Sequence, residues 1–188
     1  NFGNIDIILD EVIEPEELLL TITTSDYNGQ NISCPRADDG MLNSIITGGH
    51  PPYQLDWSNG SSGAVIYNLG PGLYDVTLTD DLGCQIIASA VITEPMPIET
   101  DITIADPNCS GLMTGSVIVE NAVGGTGTYE YSIDGQNWQM SPSFTALSAG
   151  GYEVYFRDEN LCVFGEEINL IAPEIPIVDL GNNLTVAL

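Results

Sequence analysis

Four cysteines, one histidine and 27 acidic residues supply most of the reactive side chains in this 188-residue chain, and their spacing limits the chemistry open to them. Cys34 and Cys84 lie 50 residues apart, and Cys109 and Cys162 lie 53 apart. One such pair falls in each of two sequence repeats, so disulfides Cys34–Cys84 and Cys109–Cys162 are predicted. Closing a loop of that length contributes roughly 4 kcal/mol by the chain-entropy argument. Zinc is the competing use of cysteine, but there is no C-x-x-C pair and His50 is the only histidine.

His50 sits in Gly48-Gly49-His50-Pro51-Pro52, where a turn residue is a better reading than a general base. There is no Gly-x-Ser-x-Gly elbow and no Cys–His pairing motif. Gly124-Gly125-Thr126-Gly127 joins two strand-like stretches, whereas a phosphate loop needs a helix N-terminus. Carboxylate pairs suited to glycoside hydrolysis are plentiful, yet among 27 acids nothing marks one pair out. The chain reads as having no enzymatic activity and no catalytic residues.

Acids gather near the repeat junctions and before the second cysteine of each pair. Glu94, Glu99 and Asp101 surround Pro95 and Pro97; Asp80-Asp81 and Asp158-Glu159 precede Cys84 and Cys162. These seven are candidate Ca²⁺ ligands, since that ion collects six to eight oxygens. No D-x-D-x-D-G loop is present, and a solvated acidic face accounts for the same residues. No other cofactor is indicated. Aromatic anchors for a glycan narrow to Trp138, past a hairpin turn, and Tyr155, on the outer face of its strand; Tyr53, Trp57, Tyr74, Tyr129, Tyr131 and Tyr152 fall on apolar faces.

The net charge is −25, with Arg36 and Arg157 the only cationic residues besides His50. So strong a negative field repels nucleic acid and anionic membranes. With no lysine, a Lys–Asn isopeptide crosslink is excluded. No apolar run is long enough for a membrane-spanning helix, and no signal-peptide pattern opens the chain. The strand-like stretch Leu184 to Leu188 at the end suggests a fragment of something longer.

What must hold these residues in place is a repeat of about eighty residues. Pro15, Pro95 and Pro173 recur in similar phrases, Gly48-Gly49 recurs as Gly124-Gly125, and Tyr53 as Tyr129. Leu69 to Val76 recurs as Leu147 to Val154, and Cys84 as Cys162, both 78 apart. Residues 1–15 then end one module, 16–95 and 96–173 are two whole modules, and 174–188 begin another. Apolar residues alternate within each: Tyr74, Val76 and Leu78 oppose Asp75, Thr77 and Thr79, and Tyr152, Val154 and Phe156 oppose Glu153, Tyr155 and Arg157. Asn59-Gly60 and Asp134-Gly135 suit tight turns needing positive φ. Six or seven short strands per module predict an all-β fold of tandem immunoglobulin-like antiparallel β-sandwiches.

Gly48-Gly49-His50-Pro51-Pro52-Tyr53, Trp57-Ser58-Asn59-Gly60, Leu69 to Val76, Thr79 to Cys84 and Ile92-Thr93-Glu94-Pro95 together resemble the SprB repeat of large Bacteroidota surface and gliding-motility adhesins. The second module departs from that pattern at Tyr131 to Gly135 and at Asn160-Leu161-Cys162. The resemblance implies export, an extracellular cell-surface location and adhesive or fibrous work. The expected role is a structural segment of a long filament or stalk serving adhesion, motility or cell contact. Its expected partners are neighbouring repeats of the same chain and further copies in a filament or bundle. Two rivals stay open: an adhesin module that binds glycans or other cell surfaces, and an accessory binding module of a secreted hydrolase.

Overall fold

The computed structural model describes residues 16–109 and 111–174. Residues 1–15, and all but Glu174 of the segment 174–188, lie outside that range, as do the expected strand at Leu184 to Leu188 and Pro15. The chain divides into two compact units. The first holds residues up to Ile32 and Arg36–Glu94; the second holds Pro95 onward together with the tripeptide Ser33–Pro35.

In the first unit, β1 (Leu19–Thr24), β2 (Gly40–Thr47) and β4 (Val65–Leu69) form one sheet in the order β1-β2-β4. β3 (Gln54–Trp57), β5 (Gly72–Thr79) and β6 (Gln85–Ile92) form the other, ordered β3-β5-β6. All pairings are antiparallel. The second unit repeats the plan with β7 (Glu99–Ala105), β8 (Gly115–Val123) and β10 (Ser143–Leu147) in one sheet. β9 (Glu130–Ser132), β11 (Gly150–Arg157) and β12 (Val163–Leu170) form its second sheet. Each unit is an immunoglobulin-like sandwich of two three-stranded sheets, and the described residues contain no helix.

Alternation along the strands decides which residues enter the core. Val76 and Leu78 of β5 are fully buried, as is Val154 of β11, with Phe156 nearly so. Asp75 and Glu153, which precede Val76 and Val154, face solvent. Trp57 and Leu55 pack against Leu42, Ile66 and Ile92 in the first core; Val117, Val119 and Tyr131 meet Val154 and Phe156 in the second. Among the described residues the first core has ten buried apolar members and the second six, so the second unit has less apolar burial to hold it.

Local devices repeat with the sheets. Asn68 and Ala146 take left-handed φ (56° and 60°) where β4 and β10 bulge against β2 and β8. Gly60 and Gly135 adopt φ of 82° and 69° in the two turns. In the second turn Asp134 organises the chain: its Oδ1 accepts from the amides of Gln136 and Asn137 and from the Ser132 hydroxyl. Those bonds, the Asn137 amide foremost, hold its carboxyl well below the usual carboxylate range. Tyrosine hydroxyls tie loops down in both units: Tyr53 and Tyr129 donate to the carbonyls of Gly48 and Gly124, and Tyr74 and Tyr152 to those of Gly70 and Ser148.

Candidate functional site

The cysteines pair differently from the expectation. The bond joins Cys34 to Cys162, 128 residues apart with Cα atoms 5.5 Å apart. Cys84 and Cys109 are free and exposed, so neither Cys34–Cys84 nor Cys109–Cys162 forms. The reason lies in the path of the chain. Ser33–Pro35 follows Ile32, which anchors the first core, but belongs to the second unit, so Cys34 meets Cys162 there rather than Cys84.

The loop that presents Cys162 is built on Asp158, which is nearly fully buried. Asp158 Oδ1 accepts from the Cys162 amide at 3.0 Å, and Oδ2 accepts from the amide and hydroxyl of Thr126. The Glu159 amide returns a bond to the Thr126 carbonyl. Asn160 Nδ2 donates to the Ser33 carbonyl at 3.2 Å, fixing the residue before Cys34.

Asp80 builds the same loop in the first unit. Its Oδ1 accepts from the amides of Leu82 and Cys84, and its Oδ2 from the His50 amide. Burial pushes the Asp80 carboxyl up, but the amides of Cys84, His50 and Leu82 together outweigh it and leave it below its ordinary value. Asp80 and Asp158 therefore spend their oxygens on backbone amides. Asp81 is exposed, 3.9 Å from His50 Nδ1, and Glu159 is exposed beside Gly127. Glu94 Oε2 accepts from the Arg36 amide, and Asp101 Oδ2 from the Asn121 side chain, while Glu99 begins β7. No three of the metal-ligating side chains gather among the described residues.

Trp138 is half-buried. The Arg157 guanidinium lies over its ring at 4.1 Å, and Arg157 also reaches Glu130 through Nη2 at 2.7 Å and Nε at 2.8 Å. One face of the indole is thus capped by a cation that is itself neutralised. Tyr155, half-buried beside Gly135 and Gly165, donates to Glu153 Oε2, and that bond chiefly raises its hydroxyl pKa. The two aromatics are held by their own module. Sequence spacing gave no sign of the Arg157 cap; the rarity of cations among so many acids was its one available signal. A cleft of about 450 Å³ in the first unit is lined by Ile46, Tyr53, Leu55 and Asp56 among others.

Residues 102–137 match the SprB repeat family. The match lies in the second unit, running from β7 through β9 to the Asp134 turn, although the first module carries the fuller set of resembling phrases. No curated protein matches. Among solved structures, the three N-terminal domains of the bacteriophage RB49 highly immunogenic outer capsid protein align over 83% of this chain and 59% of theirs, at 15% identity and a TM-score of 0.46. The four N-terminal immunoglobulin domains of Dscam1 align over 74% and 42%, at 14% identity and 0.32. Murine CEACAM1b aligns over 82% and 100%, at 11% identity and 0.33. The chain spans little more than half the length of the first of these and less than half of the second.

Proposed function

We propose that this chain, whose residues 102–137 match the SprB repeat family, is a structural segment of a long extracellular filament or stalk on the cell surface, built from tandem sandwiches and used in adhesion, motility or cell contact. The observation that carries this reading is architectural: two units with the same strand order, the same bulges and the same aspartate loop follow each other directly. A disulfide suits an oxidising, extracytoplasmic compartment. Copies packing side by side must overcome a charge of −25 each, so bundling requires salt or divalent cations to screen it over about 8 Å at physiological strength.

The test is immunogold labelling of intact, non-permeabilised cells with antibody raised against this chain. Label distributed along surface fibres supports the reading. Label appearing only after permeabilisation overturns it.

A further inference from the structure

We propose that Cys84 and Cys109 are the two open ends of a covalent ladder, each bonded in the parent protein to a cysteine of the neighbouring module. The inference rests on the tandem-array reading above. Cys34–Cys162 is one complete rung, and this chain carries half of the rung before it and half of the rung after.

The presenting loop is duplicated. Asp80 Oδ1 accepts from Cys84 N at 2.8 Å as Asp158 Oδ1 does from Cys162 N at 3.0 Å. Asp80 N and Asp158 N donate in return to the carbonyls of Cys84 and Cys162. Gly83 and Leu161, just before the cysteines, both hold left-handed φ, 81° and 64°. The two cysteines differ in exposure: Cys162, joined to Cys34, is buried, and Cys84 is exposed.

The arm is duplicated as well. Cys34 and Cys109 lie 75 residues apart, and two residues beyond each the chain turns left-handed, at Arg36 (φ 63°) and Gly111 (φ 79°). Two residues before each cysteine sits a fully buried anchor, Ile32 or Pro107. One residue earlier, Asn31 Oδ1 accepts from Thr93 N and Asp106 Oδ1 from Ile171 N, so each arm is pinned to the strand leaving its own module. An arm like that of Cys34 thus projects Cys109, and a loop like that of Cys162 presents Cys84. Within the chain each lacks its counterpart by one module.

The partner of Cys84 then lies about 75 residues before Cys34, and that of Cys109 about 78 after Cys162, both outside these 188 residues. Forming each rung removes two protons and two electrons from a pair of thiols. A disulfide-carrying dithiol oxidant of the extracytoplasmic compartment accepts them and leaves as its reduced dithiol.

The experiment uses the parent protein purified without reductant from its native cells, alkylated with iodoacetamide and mapped as non-reduced peptides by mass spectrometry. The expected result is Cys34 linked to Cys162, with Cys84 and Cys109 each linked to a peptide from outside this segment and unalkylated until reduction. The isolated 188-residue chain, treated alike, should show alkylation at Cys84 and Cys109 only. Alkylated Cys84 and Cys109 in the parent protein, or a Cys84–Cys109 bond, overturns the ladder while leaving surface display intact. Failure of surface labelling overturns the functional reading, and the peptide map still reports the ladder by itself.

Discussion

Reducing Cys34–Cys162, or replacing both residues by serine, should destabilise both units rather than one. With the bond in place, Arg36–Glu94 of the first unit is a loop whose flanking residues, Pro35 and Pro95, both belong to the second unit. Unfolding it alone releases a closed loop of roughly 60 residues, worth about 4 kcal/mol by the loop-entropy relation. The second unit, between Pro95 and Cys162, closes a loop of roughly 67 residues and gains about the same. A bond confined to one module would protect that module only. Two tryptophans allow the assay, since Trp57 belongs to the first core and Trp138 to the second unit. In a Cys84→Ser/Cys109→Ser background, Trp138→Phe leaves fluorescence to report the first unit and Trp57→Phe the second. With m of roughly 1–3 kcal/mol/M in urea, reductant should lower each midpoint by about 1.3–4 M. A shift in only one of the two transitions, or in neither, refutes the reasoning.

Acid should weaken both units. The folded Asp80 and Asp134 carboxyls sit below their ordinary value of 3.8, so their contribution is full above that value and is lost as pH falls through the lower folded values. Circular dichroism melts between pH 6 and pH 2 should show Tm declining below about pH 4, with Asp134→Ala flattening the decline in the second unit. Gly40→Ala should cost about 1–3 kcal/mol, because an added Cβ would stand 2.6 Å from the Leu69 carbonyl oxygen. Gly115→Ala, where the nearest contact is 3.0 Å, should cost less in the same urea titration. Arg157→Ala should cost about 1 kcal/mol through the lost stack on Trp138 and the lost Glu130 pair, read as a shift of the Trp138-reported transition.

The sandwich was legible because half-buried strands write their own period. Val76, Leu78, Val154 and Phe156 are buried as their alternation predicts, and Asn59-Gly60 and Asp134-Gly135 turn where positive φ is needed. The disulfide was not legible, and the error is instructive. Counting one cysteine pair per repeat assumes that each repeat folds onto itself, and nothing in a hydrophobic pattern announces a tripeptide that joins the next unit. Asp80 and Asp158 serve backbone amides, which residue type alone does not distinguish from cation ligands. The burial of Trp138 was not legible, because its partner Arg157 lies on β11, beyond the reach of local spacing.

The bond between Cys34 and Cys162 also sets the load path. Tension applied at Glu16 and Glu174 passes through β1, crosses the sulfur bridge and leaves through β12, so everything between the two cysteines stays off the line of force. Only about 30 residues can be drawn out, roughly 100 Å of slack at full extension, against roughly 500 Å for the same span with the bridge cut. Oxidised, the segment is a nearly inextensible tether; reduced, it becomes a shock absorber with about five times the run-out.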